Sequence, residues 1–137
     1  MIIVRESGMQ DLPAIFSINK QCHAKPQPED ALQAVMFRGK TWVAEVNGEV
    51  VGFLIAYLKG LPYVFNVAVL PQYRGKGFAT ELFKRFQQFY KQPTSYLEVD
   101  SNNPAQKLYF DLGYRVTEVR RNYYGPEQDA LVMVKNV

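Results

Sequence analysis

The sequence predicts an α/β domain, a mixed sheet with helices on both faces, and two observations carry that prediction. Along the 137 residues, apolar positions switch between a period of two and a period of about 3.6, giving the order β-α-α-β-β-β-α-β-α-β-β. In the middle of that order stands a strand, a Gly-rich turn and a helix, Val64 to Phe86, around which the rest of the chain is arranged.

Met1 to Arg5 reads as a short first strand. Asp11 is placed to cap a helix whose apolar positions are Leu12, Ile15, Phe16 and Ile18. Gln21 to Gln27 is a loop. Pro28, Glu29 and Asp30 suit the first turn of a second helix, which carries Leu32, Val35 and Met36 and ends at Gly39. Thr41 to Val46 and Val50 to Leu58 are strands joined by Asn47-Gly48, a strong two-residue hairpin signal. After a turn through Lys59-Gly60-Leu61-Pro62 comes the apolar run Val64 to Leu70, which reads as a strand buried on both faces. Pro71 stops it. Ala79, Leu82, Phe83, Phe86 and Tyr90 then mark one face of a helix. Ser95 to Val99 is a strand. Pro104 starts a helix capped by Asn102 or Asn103 and ended by Gly113. Tyr114 to Arg121 and Ala130 to Lys135 are two last strands around a loop.

Composition bounds the function. With 47% hydrophobic and 21% charged residues the chain is globular rather than disordered, and residues 1–137 read as one domain. No apolar run approaches ~20 residues, and the N-terminus has no charged leader before an apolar segment, so neither a membrane span nor a signal peptide is expected. A net charge of +3 with scattered basic residues gives no nucleic-acid footprint. The lone cysteine, Cys22, fits a reducing cytoplasm, and Cys22 beside His23 makes a poor metal set, so no metal is expected. Cys22 is also a poor nucleophile, its one basic companion being its own neighbour in a loop.

The chemistry begins at Arg74-Gly75-Lys76-Gly77-Phe78-Ala79. A Gly-rich turn feeding a helix presents unpaired backbone N–H groups where the helix dipole favours an anion. Arg74 and Lys76 add positive charge. No Gly-Lys-Ser/Thr closes the turn, so it is not a Walker loop, and the glycine spacing is not that of a dinucleotide site. The stretch resembles the pyrophosphate-binding motif of the GNAT superfamily of acetyl-CoA-dependent N-acetyltransferases, Gln/Arg-x-x-Gly-x-Gly/Ala, met here by Arg74, Gly77 and Ala79. The element order is similar to that fold too, which implies a mostly antiparallel mixed sheet. The resemblance implies that Gly75, Gly77, Phe78, Ala79 and Thr80 hold the pyrophosphate with help from Arg74 and Lys76. It also places Val67, Ala68 and Val69 along the cofactor, with the Val69 backbone N–H toward the thioester oxygen.

Leu97 to Tyr114 is similar to a second family pattern, matched by Asn102, Ala105, Leu108, Tyr109, Gly113 and Tyr114. Tyr109 shares a helical face with Ala105, Leu108 and Leu112, which is the bland reading of an aromatic core residue. The resemblance implies instead that its hydroxyl reaches the cofactor sulfur and protonates the leaving thiolate, and that Asn102 lies in the cofactor site. Glu98, between Leu97 and Val99, is either an exposed or salt-bridged residue on a polar face of its strand or the general base that takes the amine proton through water.

Arg120-Arg121-Asn122-Tyr123-Tyr124, an acidic loop and Asp129-Ala130 resemble the C-terminal signature of N-terminal protein acetyltransferases, in particular the ribosomal-protein-alanine group. Phe65-Asn66-Val67-Ala68-Val69 is similar to that group as well. This implies that Tyr123 and Tyr124 contact a peptide substrate. Two departures lie beside the acceptor site: one residue fewer between Glu98 and Asn102, and Asp100 where a basic residue is common. The resemblance therefore implies acetyl-CoA as cosubstrate of a direct transfer by a monomer or homodimer. Three readings stay open: a protein or peptide N-terminal α-amine as acceptor, a small amine or lysine side chain, or a non-catalytic acyl-CoA-binding domain. His23, in the loop between the first two helices, reads as a bystander.

Overall fold

The computed structural model describes residues 2–57, 60–91 and 94–136. The expected strand ends Met1 and Leu58 and the turn residue Lys59 lie outside the described residues. Seven strands form one sheet: β1 (Ile3–Glu6), β2 (Lys40–Val46), β3 (Glu49–Tyr57), β4 (Tyr63–Val69), β5 (Thr94–Asp100), β6 (Arg115–Gly125) and β7 (Gln128–Asn136). Their order is β1-β2-β3-β4-β5-β7-β6, and every pair is antiparallel except β4 with β5. The helices are α1 (Leu12–Cys22), α2 (Glu29–Arg38), α3 (Phe78–Tyr90) and α4 (Gln106–Asp111). The expected α/β order is borne out element by element.

Local chemistry explains the joints. Asn47 and Gly48 take φ of 51° and 81°, the left-handed pair that a two-residue hairpin turn requires. Gly39 ends α2 where the chain runs against β3, and a Cβ there would collide with the Ala56 carbonyl oxygen. The two sheet faces can be told apart by register. Val67 lies across from Leu54, and Leu54 from Trp42, whose ring packs edge-on against Phe86 of α3 at 6.2 Å. The next inward side chain along β4, Asn66, instead bonds Asn19 of α1. So α1 and α3 cover opposite faces. Phe83 of α3 meets Tyr109 of α4 at 6.0 Å and Tyr114 at 5.9 Å, which puts α4 on the α3 side. Ile15, Leu32, Phe53, Leu82, Phe83 and Phe86 are fully or almost fully buried between these layers.

Four expectations are corrected. β4 is not buried on both faces: Val64, Asn66 and Ala68 are buried, while Tyr63, Phe65 and Val67 are half-buried. Its pairing with β3 jumps from Ile55–Asn66 to Ala56–Val64, leaving Phe65 as the extra residue of a β-bulge. Asp11 does not cap α1 with its side chain. Its carboxylate accepts the Gly8 N–H at 2.7 Å and a bidentate pair from Arg5 of β1 at 2.8 and 2.9 Å, so a tertiary partner outcompetes the local cap. The helix expected from Pro104 begins at Gln106, because the Asn103 side chain takes the Ala105 N–H at 2.8 Å and holds the preceding residues in a turn. The last two strands run on to Gly125 and back from Gln128, so the expected loop is a tight turn. Between Arg120 and Gly125 their register breaks, with Asn122 at φ 54°, so Tyr123 and Tyr124 sit on a bulged stretch of strand rather than in a loop.

Candidate active site

The site begins where the sheet stops being continuous. β4 and β5 pair only at Tyr63–Tyr96 and Val64–Leu97. Beyond the bulge at Phe65 the strands continue, as Phe65–Val69 and Glu98–Asp100, with no ladder between them among the described residues. The Leu70 N–H donates to Val51 of β3 at 2.9 Å. Strand alternation therefore turns the backbone groups of Val69 and Val67 to the other edge, toward the opening, and those of Ala68 toward β3. Of the three strand residues expected along the cofactor, two face the opening with their main chain.

The Gly-rich turn lies at the end of β4. Gly75 and Gly77 have φ of 75° and 90°, and an added Cβ would meet open space at Gly75. The glycines are thus required by backbone conformation more than by crowding. Gly77 caps α3 without a side-chain bond, and the first helical bond runs from the Glu81 N–H to the Gly77 carbonyl at 3.0 Å. The N–H groups of Phe78, Ala79 and Thr80 have no partner within the helix and point out of its N-terminus. A cavity of about 260 Å³ lined by Ile2, Val46, Tyr73, Lys76 and Phe78 adjoins the turn. The two basic residues differ. Arg74 donates from Nε to the Val69 carbonyl at 2.9 Å and so braces the strand end, while Lys76 Nζ lies 5.9 Å from the centre of the Tyr73 ring.

Glu98 is paired on both oxygens. Tyr63 donates its hydroxyl to Oε1 at 3.2 Å and Arg120 donates to Oε2 at 3.1 Å. Burial, then the Glu98 charge, hold the Tyr63 hydroxyl protonated far above its ordinary range. Ser95 bonds the Tyr114 hydroxyl on the α3 side at 2.8 Å, so alternation sets Glu98 on the opposite, α1 side. Tyr109 comes from the α3 side and is 7% exposed. Burial foremost, then the neighbouring Tyr114 and Tyr124, keep its hydroxyl protonated well above the usual tyrosine range.

Two segments wall the α1 side. One is the loop between α1 and α2, the other the bulge of β6. Lys25 joins them, donating to the Tyr124 carbonyl and to Gln128 Oε1, each at 3.2 Å. Tyr124 is half-buried and its hydroxyl is pushed up to about 12, by burial first and then by Glu98. Tyr123 is 55% exposed and packs edge-on against Tyr124 at 5.1 Å. Asn102 donates its side-chain amide to the Glu127 carbonyl at 3.4 Å, at the turn between β6 and β7. Three residues to which the sequence assigns no individual role are here: Tyr63 and Arg120 on Glu98, and Asn66 under the loop, bonded to His23 at 2.9 Å. Asn66 carried a signal, a lone polar residue inside an apolar run, which in a buried strand demands partners.

The model of the Acetyltransferase (GNAT) family matches residues 12–114, which hold β4, the glycine turn, Glu98 and Tyr109. The chain belongs to the GNAT acetyltransferase family. Enzymes of this family transfer an acetyl group from acetyl-CoA to an amine, and this GNAT protein is an N-acetyltransferase. It is 33% identical to an N-alpha-acetyltransferase of Sulfurisphaera tokodaii, over 95% of this chain and 90% of the relative. It is 31% identical to the [ribosomal protein bS18]-alanine N-acetyltransferase of Escherichia coli K12, over 90% of this chain and 89% of the relative. The crystal structure of the ribosomal-protein-S18-alanine N-acetyltransferase from Escherichia coli superposes with a TM-score of 0.89 at 29% identity, covering 100% of this chain and 94% of that one. The GNAT fold is thus matched across the whole sheet, including the β6–β7 hairpin beyond the family match. Among the described residues no helix is long and apolar enough to cross a membrane, and no cluster of metal-ligating side chains occurs.

Proposed function

We infer that this enzyme acetylates the N-terminal α-amine of a protein or peptide in one step from bound acetyl-CoA. The observation that carries the reading is the interruption of the β4–β5 ladder, flanked by Glu98 on the α1 side and Tyr109 on the α3 side. A thioester held in the opening and an amine arriving under the Lys25 bridge would meet between a carboxylate and a phenol. The relatives' names support an α-amine acceptor over a side-chain amine.

Acetyl-CoA supplies a thioester carbon open to attack by an amine. The N–H groups of Phe78, Ala79 and Thr80 would hold its pyrophosphate at the N-terminus of α3. Gly75 and Gly77 would shape that turn, and Lys76 would add charge from the rim. Val67 and Val69 would hold the arm of the cofactor by main-chain bonds along the unpaired edge of β4, with the Val69 N–H toward the oxygen on which charge develops. Ala68 would contribute through its neighbours, its own main chain being turned to β3. Glu98 would take the proton from the attacking amine, directly or through one water, and Tyr109 would give its proton to the departing sulfur. Tyr123 and Tyr124 would line the path of the peptide. The half-buried thiol of Cys22 lies 3.5 Å from the Val69 carbonyl, at the strand end that would face the thioester.

The test is incubation with acetyl-CoA and a panel of peptides with free or blocked N-termini, alongside lysine and polyamines, with products read by mass. Acetyl should appear on free N-termini. Faster turnover of small amines, or equal turnover of blocked peptides, would overturn the acceptor while leaving the family intact.

A further inference from the structure

The polar network under the α1–α2 loop has a direction that one main-chain atom decides. The Gln27 carbonyl can only accept, so the Asn19 side chain facing it at 3.0 Å presents its Nδ2 there and turns Oδ1 the other way. That Oδ1 faces the amide of Asn66 at 3.0 Å, which must therefore be Nδ2. The same Nδ2 gives its second hydrogen to Gln27 Oε1 at 2.9 Å. Both amide hydrogens of Asn66 are then used, and its Oδ1 is left to face Nε2 of His23 at 2.9 Å. An oxygen cannot donate, so Nε2 must carry the proton. Asn19 is 1% and Asn66 8% exposed, so water does not offer either amide an alternative.

The His23 ring is neutral near pH 7, since burial foremost and the Arg74 charge lower its proton affinity against the bond to Asn66. A neutral ring protonated at Nε2 carries a bare lone pair at Nδ1. Among the described residues Nδ1 has no hydrogen-bond partner, and the ring belongs to the loop that Lys25 ties to the β6 bulge, where Tyr124 feels the Glu98 charge. We propose that Asn66 locks His23 in the Nε2–H tautomer so that Nδ1 accepts a hydrogen bond from the incoming α-amine and orients it for attack. This assignment rests on the α-amine transfer inferred above. It gives His23, which reads from sequence as a bystander, an acceptor-binding role, and Asn66 a positioning one.

His23 is the only histidine of the sequence, so nitrogen-15 imidazole spectra of untagged protein contain one ring. They should show the Nε2–H tautomer with an unprotonated Nδ1 at neutral pH, and an Nδ1–H signal overturns the lock whatever the enzyme acetylates. His23→Gln is the companion variant. Its amide N–H can reach Asn66 as Nε2 does, yet it has no atom in the place of Nδ1. Its KM for the peptide should rise about tenfold, the worth of one hydrogen bond to a polar group. Its KM for acetyl-CoA and its melting temperature should stay at wild-type values. A wild-type peptide KM in His23→Gln reduces the residue to a structural tie and overturns the proposal. Absence of peptide acetylation by the wild type would instead remove the functional reading, with the tautomer still decided by the spectrum.

Discussion

The Tyr63 hydroxyl donates a hydrogen bond to the Glu98 carboxylate at 3.2 Å, between the two strands whose shared ladder ends at Val64 and Leu97. The last point at which the sheet is whole is therefore also the point that fixes the proposed base. Arg120 holds the other carboxylate oxygen at 3.1 Å, so the side chain has little freedom to turn.

Glu98→Gln keeps this shape and removes the basicity. Turnover should fall at pH 7 and recover partly at higher pH, because a peptide α-amine has a pKa of about 8 and is increasingly neutral there. Acetyl-CoA affinity should not change. Steady-state rates from pH 6 to 9.5, as an approximate range spanning that pKa, provide the check. Wild-type rates throughout would sink the base assignment.

Tyr109→Phe removes one hydroxyl and little volume, and the edge contact with Phe83 survives it. Turnover should drop by roughly 10²-fold or more, the range of general acid catalysis, with melting temperature unchanged. If the Phe variant is fully active, Tyr109 is a core residue only.

Gly77→Val places a β-branched side chain at φ 90°, in a region only glycine enters readily. It should weaken acetyl-CoA binding far more than Lys76→Ala, whose Nζ already lies out over Tyr73. Calorimetric titration of both variants gives the comparison. Equal, small losses would argue against main-chain binding of the pyrophosphate.

Asp11→Asn tests the tertiary partner that displaced a helix cap. The bidentate bonds from Arg5 foremost hold the Asp11 carboxyl below its ordinary range. A depressed folded value means that the ion pair contributes fully above the unfolded carboxylate pKa of about 3.9 and is lost as pH falls from there through the folded value. At pH 7 the variant should be less stable by about 2 kcal/mol, scaled down from a fully buried pair because Arg5 is one-third exposed. The gap should close as pH drops below about 4. Urea unfolding at three pH values measures it, and a gap independent of pH would refute the linkage.

What was legible in the sequence was what is local. Asn47-Gly48, the glycines at 75 and 77 and the apolar face of α3 each specify their conformation within a few residues, and each is found as expected. Asp11 shows the limit of local reading: a carboxylate before an apolar helix looks like a cap until Arg5 arrives from β1. An unbroken apolar run cannot reveal a bulge, so the two-faced character of β4 at Phe65 was hidden. Glu98 was visible, but Tyr63 and Arg120 reach it from other strands, and no periodicity records that. The direction of the Asn66 network depends on a carbonyl 39 residues away in sequence.

The two-residue ladder between β4 and β5 also bears on how the chain comes together. β2, β3 and β4 are neighbours in sequence as in the sheet, and β6 and β7 form a hairpin, so these pairings within the two half-sheets close small loops, whereas β1–β2 and β5–β7 bring together distant segments such as Ile3 with Glu45 and Thr94 with Asn136. Uniting the halves requires the long parallel crossover through α3, the slowest kind of strand pairing, and only two residue pairs take part in it. The entropy of that closure is offset mainly by Phe83 and Phe86 entering the interior, not by backbone hydrogen bonds. If the aromatic seam of α3 forms in the folding transition state, substitutions at Phe83 should slow refolding where substitutions within the β4–β5 ladder leave it nearly untouched.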